Sequence, residues 1–133
     1  MPKSAVTYER KIGDFSYQSE KFTVVRRVLM EPHSRDEVSK LVGAFNECQL
    51  GLRGIEKSER LQSALDDDAR RDIDFVQQTL NTDGIEPDEH GDGTWAAKIR
   101  RMSEQDKSDF AGAVDRLATW FHDAFYETHS RNQ

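Results

Sequence analysis

Ser103–His129 reads SEQDKSDFAGAVDRLATWFHDAFYETH, and this stretch decides the fold of the chain. Phe110, Val114, Leu117, Phe121 and Phe125 recur at steps of four and three, the repeat of a helix with one buried face. Ala113, Ala118, Trp120 and Ala124 widen that face on both sides. Ser103 followed by Asp106 is a start signal, because the hydroxyl accepts from an orphan N–H and the carboxylate suits the positive helix end. This helix is the expected centre of the core.

Moving back along the chain, Trp95, Ile99 and Met102 space a short helix that abuts Ser103. Residues 82–93, TDGIEPDEHGDG, have no apolar periodicity and are rich in Gly, so they form an acidic loop. Before the loop, Asp66, Asp67 and Asp68 offer a cap and a negative first turn to a helix with core residues Ile73, Val76 and Leu80, and Phe75 alongside. A further helix starts at Ser58 and carries Leu61 and Leu65. Ser34 and Glu37 have the capping-box form ahead of Val38, Leu41, Val42, Phe45, Cys48 and Leu52. Gly51 and Gly54 bracket the end of that helix, although Ile55 keeps its phase.

Residues 1–31 read differently. Val6, Tyr8, Arg10 and Ile12 alternate loosely, and Gly13-Asp14 is a turn signal leading into Phe15 and Tyr17, the pattern of a hairpin. In SEKFTVVRRVLME, residues 19–31, a helical stripe of Phe22, Val25, Val28 and Leu29 competes with the β-branched Thr23, Val24, Val25 and Val28. The balance favours a strand or extended segment, ended by Pro32. The expected fold is therefore mainly α: one domain over 1–133, with a short N-terminal β-hairpin or extended segment and a body of four to five helices over 34–129. The tail after His129 is polar and expected to fray.

Composition narrows the function classes. Charged residues make up 33% of the 133-residue chain, above the usual share of about 25%. The net charge of −6 disfavours non-specific binding of nucleic acid or membrane by the whole surface. With one cysteine, Cys48, no intramolecular disulfide is available, and a reducing, cytoplasmic setting is the expectation. The opening MPKSAVTYERK does not read as a signal peptide, and no apolar run approaches a membrane span.

Asp88, His90 and Asp92 alternate as donors do at the opening of a calcium loop, with Gly93 following. The far end fails, because Ile99 stands where the bidentate Glu belongs. A solvated acidic loop is expected, with no metal and no cofactor. Cys48 lies on an apolar face and reads as a packed small side chain. No phosphate loop, zinc spacing or nucleophile elbow occurs, so no catalytic residue is assigned.

Basic residues come in pairs. Arg26-Arg27, Arg70-Arg71 and Arg100-Arg101, with Lys98 beside the last, would form a nucleic-acid-binding stripe if the fold gathered them. Acidic neighbours such as Asp72 and Asp74 make helix-surface salt bridging the ordinary alternative. Arg116 and His122, with five residues between them in a helix, resemble the Arg–His motif of HEPN-type ribonucleases. There the pair stabilises phosphate charge and moves protons. The resemblance covers those two residues and the helical character, and it implies a small HEPN-like ribonuclease. Against membership, Leu117 stands where that family favours a polar residue, Arg27 and His33 repeat the spacing, and six residues of straight helix set the side chains about 120° apart.

The side of the last helix opposite Phe110 and Leu117 carries Ser108, Gly112, Arg116 and Thr119. Gly in an exposed helix costs about 1 kcal/mol relative to Ala, and small residues permit close approach. The favoured function is a non-enzymatic protein-interaction subunit or adaptor. Its contact would use Ser108, Gly112, Arg116 and Thr119, with Trp120 and Tyr126 as anchors. The partner is another protein or a second copy of the chain; nucleic acid is the alternative, and no membrane is expected.

Overall fold

A computed structural model describes the backbone of residues 2–31, 36–87 and 93–131 and the side chains of 15–31, 36–87 and 93–125. Six helices follow one another: α1 Pro2–Met30, α2 Glu37–Glu56, α3 Glu59–Ala64, α4 Asp67–Leu80, α5 Thr94–Arg101 and α6 Glu104–Arg131. The mainly α reading holds.

The N-terminal hairpin does not. Among the described residues there is no strand, and Gly13 and Asp14 lie inside α1. The side chains of α1 show why helix wins. Phe15, Gln18, Phe22 and Val25 are all buried at steps of three and four, while Val24 remains 37% exposed. In a strand Phe22 and Val24 would share a face; burial separates them instead. Helical spacing lets α1 cover two other helices, and that burial outweighs the β-branched preference of Thr23, Val24 and Val25.

Start signals elsewhere act largely as read. Ser103 Oγ accepts from Asp106 N at 3.0 Å, and the Asp106 carboxylate accepts from Ser103 N at 3.1 Å, a reciprocal box at the head of α6. Ser58 caps α3 and Asp66 caps α4. For α2 the cap is Asp36, which accepts from Ser39 N at 3.2 Å. Ser34, read as that cap, lies outside the described residues.

Helix α6 runs between α1 and α4. Phe110, Val114, Leu117 and Phe121 have no exposed surface, and each buried side chain of this size contributes roughly 1.5–3 kcal/mol. Phe121 meets Phe15 and Phe22 at centroid distances of 5.7 and 5.3 Å, and Phe110 meets Phe45 of α2 at 5.1 Å. Phe125, read as the last core position, is only half-buried.

Helices α1 and α2 run antiparallel, tied by Lys21–Glu47 at 2.9 Å. Gly51 and Gly54 do not end α2, which continues to Glu56. Their lack of Cβ lets α1 approach instead. A Cβ on Gly51 would lie 3.1 Å from the Phe22 ring, and one on Gly54 would lie 2.8 Å from Gln18 Nε2. That Gln18 amide is buried, donates to the Gly51 carbonyl at 3.2 Å, and leaves Oε1 without a partner among the described residues.

Helix α5 closes the C-terminal end of α4. Trp95 Nε1 donates to Leu80 O at 3.0 Å, and Lys98 Nζ donates to Gln78 O at 2.9 Å and Asn81 O at 2.6 Å. The last carbonyls of a helix carry partial negative charge, so a lysine there is favourable. Burial holds the Lys98 ammonium below its ordinary pKa. Among the described residues no helix is long and apolar enough to cross a membrane.

Candidate functional site

The outer side of α6 is shaped by one ion pair. Arg116 projects back toward the preceding turn, as helical side chains do, and passes beside Gly112, where an added Cβ would lie 3.3 Å from its Nη1. Its fork then grips Asp72 of α4: Nε reaches Oδ2 at 3.0 Å and Oδ1 at 3.2 Å, and Nη2 reaches Oδ1 at 2.9 Å. The Asp72 side chain is only 13% exposed, so this is a charge-assisted bidentate contact at the edge of the core. The Asp72 hydrogen bond raises the Arg116 pKa above its ordinary value.

Between α4 and α6 this clamp borders an open groove of about 320 Å³, with Phe75 and Arg71 on one wall and Ser108, Asp109 and Gly112 on the other. Phe75 is 37% exposed. Sequence reasoning placed Ser108, Gly112 and Arg116 on this side but missed Asp72 and Phe75. Phe75 had a signal: it falls off the Ile73–Val76–Leu80 stripe, where an aromatic ring has no core to enter.

The structure does not bring the other candidates to this groove: Thr119 and Trp120 turn toward α1 and the N-terminal cap of α4. Thr119 is exposed and accepts from Arg26 Nη1 at 3.4 Å, and Arg26 also lies 3.6 Å from Asp115. Trp120 is half-buried: its Nε1 donates to Asp66 Oδ2 at 2.9 Å, and its ring meets Phe15 edge-on at 5.4 Å. It therefore braces α1, α4 and α6. Backbone donation from Ala69, joined by the Trp120 indole, lowers the Asp66 pKa. The Tyr126 side chain lies outside the described side chains.

The basic pairs sit on three helices and much of their charge is engaged. Arg70 reaches Gln62 O at 3.1 Å and Asp67 at 3.9 Å, and Arg71 lies 3.2 Å from Asp68. Lys98 is occupied by the α4 carbonyls. Arg27, Arg100 and Arg101 are exposed, the first on α1 and the others on α5. Arg116 and His122 face different neighbours: Arg116 grips α4, whereas His122 lines a groove against Ser16, Ser19 and Glu20 of α1. They do not converge on one reacting atom.

Cys48 is wholly buried, and burial pushes its thiol far above the ordinary range, opposite to the requirement for a nucleophilic thiolate. Asp88, His90 and Asp92 lie outside the described residues. Among the described residues no three His, Cys, Asp or Glu side chains are grouped to hold a metal ion. Comparison with protein-family models, with curated proteins and with solved structures finds no match to this chain.

Proposed function

We propose that the chain is a non-enzymatic protein-interaction subunit, an adaptor of a larger cytoplasmic assembly, which receives its partner on the outer side of α6 along the groove with α4. The observation that carries this reading is the juxtaposition of the partly exposed Phe75 ring, the bare backbone at Gly112 and the clamped Arg116. Together they offer an apolar seat and a fixed charge on a rigid helical frame. A surface already in its binding geometry loses little ordering entropy on association. Aromatic and Arg side chains are the groups that dominate interface energetics. Asp109 on the groove wall, with the net charge of −6, favours a basic partner segment.

Ser108 supplies a polar rim to the groove. Trp120 contributes by holding the helices in place, because its indole is committed to Asp66. Gly112→Gln is the test. The variant should keep its helical circular dichroism, with the gain in helix propensity offset by the crowding of the new Cβ against Arg116 Nη1, while the proteins recovered with the parent chain by affinity isolation are lost. Unchanged recovery would exclude this face. An elevated 260/280 nm ratio in protein purified at low salt would support the nucleic-acid alternative instead.

A further inference from the structure

A second surface, independent of the α4–α6 groove, lies on the outer face of α1. Tyr17, Glu20, Val24, Arg27 and Glu31 share this face, all of them exposed. Val24 is 37% exposed and Tyr17 is 42% exposed, both large for apolar or aromatic groups on a helix whose other side is core. Lys21, next to Glu20, is taken by Glu47. Glu20 and Arg27 make no hydrogen bond or ion pair among the described residues. At about 1.5 Å per residue they stand roughly 10 Å apart, too far to pair with each other.

The order of these residues is self-complementary. Glu20 precedes Val24 by four positions and Arg27 follows it by three; Tyr17 precedes by seven and Glu31 follows by seven. An identical helix laid antiparallel across Val24 therefore sets Tyr17 against Glu31 of the other copy and brings Glu20 within one residue, about 1.5 Å along the axis, of its Arg27, within reach of these long side chains. Each ion pair occurs twice by the two-fold symmetry, as a closed isologous contact requires. A parallel mate would instead oppose Glu20 with Glu20 and Arg27 with Arg27, so charge selects the antiparallel arrangement. Beside this face a groove of about 430 Å³, walled by Thr23, Val24 and Phe125, gives the edge of the second helix room to settle.

We infer that α1 is a self-association surface on which a second copy of this chain docks antiparallel about Val24, with reciprocal Glu20–Arg27 pairs fixing register and direction. A single helix pair belongs to the small-interface class, below about 1,200 Å² in total, so the dimer is weak and concentration-dependent. Its charge pairs are exposed and weaken with salt.

Sedimentation equilibrium of the full chain at low salt, with Glu20→Arg, Arg27→Glu and their double variant, tests this. The parent should dimerise reversibly as concentration rises. Each single reversal turns two attractions into two repulsions and should weaken the dimer by about tenfold or more, with unchanged circular dichroism. The double variant should recover the dimer, and an equimolar mixture of the two single variants should form a heterodimer that neither forms alone. A parent that stays monomeric over the whole range would overturn the inference. So would a dimer indifferent to all three substitutions, which would lie on another face.

Discussion

Removal of the Asp66 carboxylate tests how α4 is held to α6. One oxygen of Asp66 accepts from Ala69 N at 2.8 Å as the cap of α4, and the other accepts from Trp120 Nε1 at 2.9 Å. Asp66→Ala removes both. Loss of the cap costs about 1 kcal/mol. The indole N–H is half-buried, so water partly replaces its acceptor, and the second loss is about 0.5–1.5 kcal/mol. The sum is about 2 kcal/mol. For a domain of this size that lowers Tm by roughly 7 °C, since the unfolding entropy is about 2.1 cal/mol/K per residue.

Asp66→Asn separates the two parts: its one amide oxygen can keep the Ala69 cap, whereas its NH2, itself a donor, replaces the oxygen that accepts from Trp120. It should lose about half as much or slightly more. The pH dependence has a definite sign. The folded Asp66 pKa is lowered by Ala69 and Trp120, so the unfolded chain binds the proton more readily. The contribution is fully present above the unfolded value of about 3.9 and disappears as pH falls through the lower folded value. Thermal melts followed by circular dichroism from pH 7 to pH 2 should therefore converge for parent and Asp66→Asn at the acid end. A double-mutant cycle with Trp120→Phe should show coupling of about 1 kcal/mol. Additive losses, or an Asp66→Ala cost of only a few tenths, would refute the brace.

Two further perturbations follow from packing. Leu117→Ala should cost about 2–5 kcal/mol in urea unfolding, as truncation of a wholly buried leucine does, and a loss of a few tenths would mean that α6 buries another face. Gly51→Ala should destabilise by about 1–3 kcal/mol because its methyl presses on the Phe22 ring, whereas Gly43→Ala, with nothing within 4 Å of the new Cβ, should gain up to about 1 kcal/mol; equal effects at the two sites would contradict the close α1–α2 crossing.

The last helix was legible because its information is local: an apolar stripe of regular period and a reciprocal cap within four residues. The first helix was not. Thr23, Val24, Val25 and the Gly13-Asp14 pair argue locally for strand and turn, and what overrides them is burial against α2 and α6, which only the assembled fold supplies. The candidate site divides along the same line. Ser108, Gly112, Arg116 and Thr119 share one side of α6 by spacing alone. Asp72 and Phe75 join them because α4 lies alongside, and the partnership of Trp120 with Asp66 spans 54 positions. Gly112 shows the difference most clearly: spacing marked it as an opening for another molecule, while the structure shows that the opening also admits the Arg116 guanidinium.

The buried meeting of Gln18 with α2 restricts the order in which this protein can change. While Gln18 Nε2 occupies the space beside Gly54, an alanine at 54 would sit 2.8 Å from it and force the amide off the Gly51 carbonyl. An alanine at 18 first vacates that space, after which a methyl at 54 refills part of it. The two replacements are thus epistatic, harmful in one sequence of events and tolerable in the other. A library randomising both positions should return Gly54 wherever Gln18 is kept, and small residues at 18 wherever Gly54 is lost.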